Sequence, residues 1–348
     1  MRQALPLRGW ADYSPAMPQN APLTPPARPH AAMPGLPLRV GTRASPLALW
    51  QTRFFLEQLI RFCPVLKFMD AFEEHHIITT GDAVQNRRLA DIGGKGLFAK
   101  EIHEALLDRR VDFAVHSLKD LETELPAGIV LACTLKREDA REALILADPE
   151  GTADIADPYA VLPQGAVVGT ASLRRQAQLL ASRPDLQVVP IRGNVQTRLS
   201  KVRGGEMVAS LLALAGLKRM GMESEAAAVL SPEIMLPAAC QGIIGITVRA
   251  ADTELLELLS GIEDPEAKAV SQAERALLAA LDGNCRTPIG GHARFLEDGR
   301  LRLVGMTARA DGTFLLRRAI EGAAADAVAI GRELGDALRR DTPADVFG

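Results

Sequence analysis

Aromatic residues are scarce: they make up 4% of the 348 residues, with two Trp and two Tyr, which leaves little material for the stacked platforms that hold single-stranded nucleic acid. A surplus of one charge is lacking too. Forty Lys and Arg stand against forty-three Asp and Glu, a formal net charge of −3, so the chain as a whole is built neither for nucleic acid nor for a membrane surface. The four cysteines, Cys63, Cys133, Cys240 and Cys285, lie far apart and form no C-x-x-C pair, which excludes a zinc ribbon and a dithiol motif and argues against disulfides. No apolar run approaches the roughly 18 residues of a membrane span; the longest, 207–217, is interrupted by Ser210 and Gly216. The nucleotide motifs G-x-G-x-x-G and G-x-x-x-x-G-K-[ST] are missing, the nearest approach being Gly93, Gly94, Lys95 and Gly96. His75 and His76 are adjacent and would point to opposite faces of a strand, so no metal site is read. These absences predict a cytoplasmic chain that engages neither membrane nor nucleic acid.

What is present is ordinary for a folded protein: 47% apolar and 24% charged residues, over a length that predicts two or three domains. Residues 1–37 stand apart, with nine of the 22 prolines and only four charged residues, and read as a disordered extension. From Leu38 onward short β-branched runs alternate with helical periodicity. Strands are predicted over 38–41, 77–79, 111–115, 166–169, 186–191 and 243–248, and helices over 46–62, 96–109, 173–182 and 195–202. That alternation predicts α/β domains with largely parallel sheets. A helix over 265–281, two or three strands between His292 and Ile320 and a helix over 323–340 read as a separate α+β domain. Gly and Pro punctuation puts internal boundaries near 136–141 and 231–237.

The residues richest in chemistry, His116, Ser117, Leu118, Lys119 and Asp120, follow directly on the 111–115 strand, where an open α/β sheet places its ligands. A carboxylate beside an ammonium can move protons there and hold a cationic intermediate. The same Lys119 and Asp120 also read as a solvated turn, and His116 as a structural residue. Arginines recur just past the other strands: Arg43, then Arg174 and Arg175 behind Ser172, then Arg192, with Arg198 and Arg219 further on. Ser172 reads as an N-cap, and a helix N-terminus beside two guanidinium forks is a ready site for anions, carboxylate or phosphate alike. This repeated placement predicts a cleft for a polyanion. Cys285, in the glycine-flanked stretch DGNCRTPIGG (282–291) and next to Arg286, reads as an exposed loop cysteine, whereas Cys63, Cys133 and Cys240 read as small buried apolar residues.

Six collinear motifs, RVGTRASPLALWQ (39–51), GGKGLF (93–98), AVHSLKD (114–120), GTASLRRQ (169–176), IRGNVQTRL (191–199) and GNCRTPIG (283–290), resemble those of one family, the porphobilinogen deaminases or hydroxymethylbilane synthases, from Leu38 to at least Val304. The resemblance implies an α/β fold of two periplasmic-binding-protein-like α/β domains, 38–137 with 240–262 and 138–239, plus a C-terminal α+β domain, 263–348. It also implies a dipyrromethane cofactor, made from substrate and joined by a thioether to Cys285, and stepwise condensation of four porphobilinogen units, with loss of ammonia, to hydroxymethylbilane. By match to the motifs, Asp120 is the catalytic group; Lys119, Ser172, Arg174, Arg175 and Arg198 hold the cofactor; Arg43, Ser45, Gln51, Arg192 and Arg219 face substrate. Implied as well are a monomer needing no metal, with porphobilinogen as its small-molecule partner and uroporphyrinogen-III synthase as recipient of its product. Four departures stand out: Asp91 where many relatives carry Lys, Glu122 where relatives often carry a proline two residues after the Lys-Asp pair, Cys240 in place of a small residue and Thr247 in place of Glu. Two other readings stay open from the residues themselves. A two-lobed solute-binding or ligand-sensing protein would leave Cys285 unmodified, and an inactive scaffold would keep the cleft without releasing ammonia.

Overall fold

The computed structural model describes residues 35–83, 96–282 and 287–347. Asp91, residues 93–95 and Cys285 lie outside them, as do residues 1–34 of the extension read as disordered. The chain begins with β1 (Leu38–Thr42), α1 (Pro46–Phe62), β2 (Phe72–His76), α2 (Lys100–Leu107), β3 (Phe113–Ser117) and β4 (Ile129–Thr134). It then crosses to a second lobe made of β5 (Glu142–Leu146), β6 (Val167–Gly169), α3 (Leu173–Ser182), β7 (Gln187–Val189), α4 (Val195–Arg203), β8 (Ala209–Ala213), α5 (Leu214–Arg219) and β9 (Ala228–Leu230). β10 (Ile244–Arg249) and α6 (Thr253–Ser260) return to the first lobe, and α7 (Pro265–Ala280), β11 (Ile289–Phe295), β12 (Leu301–Ala308), β13 (Leu315–Gly322) and α8 (Ala327–Asp341) form a third unit.

The first sheet runs β2-β1-β3-β10-β4 and the second β7-β6-β8-β5-β9. Both are α/β, as expected, but neither is largely parallel. β1 is parallel to β2 and β3 while β10 runs against β3 and β4; β6 is parallel to β7 and β8 while β5 runs against β8 and β9. The antiparallel members are the two strands that carry the chain into lobe two and back into lobe one. The third unit is an antiparallel sheet, β11-β12-β13, with α7 and α8 over one face and a core that includes Leu277, Leu303, Leu334 and Leu338.

Local chemistry explains both the agreements and the shifts. α1 starts where predicted because Ser45 Oγ accepts the Ala48 N–H and Pro46 supplies the fixed first-turn φ; the helix buries Gln51, Thr52, Phe55 and Leu59. α3 likewise starts behind Ser172, whose side chain accepts the Arg175 N–H. The strand read at 77–79 is instead β2, with Leu38 opposite Phe72. β2 is an edge strand carrying Glu73, Glu74, His75 and His76, so its sequence does not advertise it. β3 begins two residues later than read, because Arg109 adopts φ +56, the N–H groups of Arg110 and Val111 return to the Ala105 carbonyl, and the Asp112 N–H goes to Arg39. His116 and Ser117 therefore lie within the strand. β4, β5, β9 and α6 were not among the predicted elements. Among the three described cysteines, Cys133 and Cys240 are buried and Cys63 is only partly so.

Few contacts set the lobes against one another. Arg192 of lobe two donates to the Gly81 carbonyl at 2.9 Å, and Arg219 donates to the Gly242 carbonyl at 2.6 Å while lying over the Trp50 ring. Gly242 has φ +88, and a Cβ there would fall 2.3 Å from the Glu138 carbonyl, so glycine is required. Arg137, at the crossing, pairs with the fully buried Glu274 of α7 at 2.6 Å. Glu274 also accepts the N–H groups of Cys240 and Ala293, which pins the third unit to the crossing.

Candidate active site

Lys119 and Asp120 sit in a single 3-10 turn, Leu118–Asp120, at the carboxyl end of β3, the central strand of the first sheet. The turn is anchored by Leu118, which is buried and donates its N–H to the Ile243 carbonyl at 2.9 Å. Lys119 is exposed on the turn, as the solvated reading has it, but its head group is held: its Nζ donates to Gln241 Oε1 at 3.1 Å, and Gln241, itself buried, donates to the Ala140 carbonyl. Asp120 stays a third exposed, with Oδ2 4.0 Å from Arg43 Nη1. The segment closing the lobe thus presents the carboxylate toward Arg43 while Gln241 holds the neighbouring ammonium.

Around Asp120 the structure gathers Arg43, Lys119, Arg175, Arg192 and Arg198. Arg43 is a fork on Asp82, with Nη2 at 2.5 Å from Oδ1 and Nε at 3.1 Å from Oδ2, and its guanidinium lies 4.2 Å over the Phe98 ring. Arg198 donates Nε–H to the Gly193 carbonyl at 2.9 Å and forms no ion pair among the described residues. Burial, then Arg175, Arg192 and Arg43, draws its guanidinium down to about 10 despite Asp120. Burial likewise brings Lys119 down to about 8, against the opposing pull of Asp120. Cations whose charged forms are disfavoured by burial and by one another are stabilised when an anion joins them.

Glu142, the first residue of β5, organises the lobe-two side and was missed in the sequence. It is 0% exposed, with Oε1 2.5 Å from Arg174 Nη2 and Oε2 2.7 Å from Arg175 Nη2. Burial alone would raise its carboxyl; Arg175 and Arg174 outweigh that and hold it at about 2. The second arm of Arg174 goes to the Leu236 carbonyl at 2.6 Å and that of Arg175 to the Leu211 carbonyl at 2.7 Å. Arg174 is thus turned inward, whereas Arg175 keeps a buried Nε–H with no partner among the described residues. Ser45 is an N-cap, and Gln51 is buried, accepting from Ser117 Oγ at 3.0 Å. Arg219 lies apart on Gly242. Asp82 and Gln241 also went unread, because a short acid in a turn and a buried amide carry no sequence signal of their partners.

Of the departures, Thr247 Oγ1 lies 2.8 Å from His116 Nε2, and burial pushes that imidazole down to about 3, which makes His116 a neutral structural residue. Glu122 lies 3.2 Å from the buried His103 Nδ1. Cys240 adopts φ +61, a region in which a residue without Cβ would carry no strain.

A two-lobed α/β protein with a cationic cleft and one carboxylate at a central strand end defines a binder or converter of small anions. The chain belongs to the porphobilinogen deaminase family. Residues 38–257 match the family model "Porphobilinogen deaminase, dipyromethane cofactor binding domain" and residues 268–340 match "Porphobilinogen deaminase, C-terminal domain". Porphobilinogen deaminase of Paracoccus denitrificans is 48% identical over 311 residues, 89% of this chain and 96% of its own. The chloroplastic porphobilinogen deaminase of Oryza sativa subsp. japonica is 48% identical over 276 residues, 79% of this chain and 75% of its own. Among solved structures, the periplasmic VFT2 domain of Bordetella pertussis BvgS aligns over 68% of this chain and 92% of that one, at 16% identity and a TM-score of 0.36.

The residues of the cleft fit a dipyrromethane. A carboxylate-bearing group finds the Arg175 Nε–H and the Arg198 guanidinium, the first with no partner and the second with no ion pair among the described residues, and the Lys119 ammonium on Gln241. Among the described residues no helix is long and apolar enough to cross a membrane, and no group of three His, Cys, Asp or Glu is placed to hold a metal ion.

Proposed function

We propose that this cleft condenses four porphobilinogen units head to tail, with loss of ammonia from each, to hydroxymethylbilane, and that Asp120 is its catalytic carboxylate. The observation that carries this reading is the placement of Asp120, partly exposed, beside a cluster of cations that have more positive charge than the acids among them neutralise. When bound through Cys285, a dipyrromethane supplies the pyrrole on which the chain is built. Lys119, Arg175 and Arg198 hold its acetate and propionate groups, with Ser172 setting the helix start that carries Arg175. Arg43 and Arg192 meet the side chains of the incoming porphobilinogen, and the lobes close over it through Arg219 and Gly242. Arg174 acts one step removed, by fixing Glu142. Asp120 holds a proton at the substrate nitrogen and offsets the positive charge that develops as the aminomethyl C–N bond breaks. The reading takes the protein as a cytoplasmic monomer whose product passes to uroporphyrinogen-III synthase.

Intact mass under denaturing conditions tests it. Wild type, as purified or after incubation with porphobilinogen, should carry an excess equal to one dipyrromethane, and Cys285→Ser should carry none. An unmodified wild type after that incubation would refute the enzyme reading and favour a solute binder or a scaffold. The pH profile is a second test. Because the Lys119 ammonium titrates near 8 in the free protein, kcat/KM for ammonia release should fall as pH rises through about 8. Lys119→Arg, which keeps its proton, should carry activity to higher pH; an alkaline limb that stays in place in this variant would remove Lys119 from substrate or cofactor binding.

A further inference from the structure

The antiparallel sheet of the third unit carries a second cationic concavity that shares no residue with the cleft. In the sheet register His292 stands opposite Val304, Arg294 opposite Arg302, and Val304 opposite Ala319, with Arg317 opposite Met306, so these side chains share the face turned away from α7 and α8. Near its centre that face packs on lobe two through Met306 and Leu236. Beyond this contact it opens into a cavity of about 320 Å³, lined by His292, Arg294, Arg302, Arg317 and Arg318, with Glu233 as the acid in its lining.

The charges in this cavity are unevenly matched. Arg318 is paired with Asp341, and Arg302 with Glu321, which Arg300 also engages. Arg317 donates to the Glu233 carbonyl and to Gln178 Oε1, and its Nε is buried with no partner among the described residues. The Glu233 carboxylate is engaged by backbone N–H and Ser231, and only more weakly by the charges of Arg294 and His292. Arg294 is exposed, and its side chain forms no ion pair or hydrogen bond among the described residues. It faces Arg302 directly across the strands, a like-charge pair that Glu321 relieves only on the Arg302 side. His292, lowered by burial and then by Arg137, adds a neutral ring with donor and acceptor nitrogens. A concavity with a facing pair of guanidinium groups, a third with an orphaned N–H and a neutral imidazole matches planar oxyanions.

We propose that this cavity is an anion site separate from the cleft, taking a small metabolite with at least two carboxylate or phosphate groups, held between Arg294 and Arg302 with Arg317 at its inner end. Isothermal titration of the full-length protein, at matched ionic strength, with citrate and with pyrophosphate tests it. At least one anion should show a saturable binding step that survives loss of the cleft cation in Arg198→Gln, and the tighter of the two at that step identifies carboxylate or phosphate as the preferred chemistry. Arg294→Gln should weaken binding about tenfold or more, the loss of a charge-assisted hydrogen bond, and Arg294→Lys should weaken it less. Arg198→Gln, in the cleft, should leave this binding unchanged. Without added anion Arg294→Gln should melt no lower than wild type, since it relieves a like-charge pair. Binding of neither anion, loss in both variants or in neither, or loss in Arg198→Gln alone would overturn the proposal.

Discussion

Asp120→Asn should lower kcat for ammonia release by about a hundredfold to ten-thousandfold, the range for removing a positioned proton-transfer group, while KM and melting temperature change little. The separation follows from the geometry. Asp120 is a third exposed and its nearest cation, Arg43, is 4.0 Å away, an ion pair too long and too wet to contribute much to folding. The groups proposed to grip carboxylates, Lys119, Arg175 and Arg198, are held by Gln241, Glu142 and the Gly193 carbonyl, none of which Asn disturbs. Asp120→Glu keeps the charge but moves it by one methylene, and should recover only part of the rate, because misplacement by about 1 Å costs on the order of a hundredfold. Steady-state kinetics with thermal melts of each variant decide the matter. A kcat for Asp120→Asn within a few-fold of wild type would take the catalytic role from this carboxylate, and a kcat loss matched by a fall in melting temperature would make its role structural.

How much of this was legible in the sequence depended on whether the deciding physics is local. α1 and α3 could be read to the residue because Ser45 with Pro46, and Ser172, write their caps into the chain. β2 and β5 could not. β2 displays charge along an exposed edge, and β5 starts immediately after the run 136–141 that reads as a boundary. The arginines past the strands were visible as a class, and their motifs named the family, but which of them faces the cleft depends on partners far along the chain. Arg174 and Arg175 are neighbours with the same side chain; one is turned to Leu236 and the other keeps a buried Nε–H with no partner among the described residues. Nothing in the pattern distinguishes them, because the residue that sorts them, Glu142, is more than thirty positions away and looks like any surface acid. Gln241 is hidden for the same reason, since its value lies in bridging Lys119 to Ala140 across the crossing.

Glu142→Gln should be the most destabilising conservative substitution in the cleft, by about 3–5 kcal/mol, the cost of stripping one partner from a buried ion pair. The amide fits the space, yet it leaves the Arg174 and Arg175 guanidinium ions side by side without their shared anion. Acid titration gives this an independent sign. The Glu142 carboxyl is held at about 2 in the folded protein against an ordinary 4.5, so its ionised form contributes about 3 kcal/mol of stability above pH ~4.5 that is lost as pH falls toward 2. Wild type and Glu142→Gln should therefore differ most at neutral pH and converge in acid, which denaturant unfolding at a series of pH values will show. A second readout separates organisation of the site from simple loss of packing. Glu142 helps Lys119 keep its proton, so the alkaline limb of kcat/KM should move to lower pH in Glu142→Gln, whereas Glu142→Asp, which retains the charge, should restore part of the limb even where it does not restore stability. If stability falls equally at every pH and the limb does not move, Glu142 fills space and the two arginines find their positions without it.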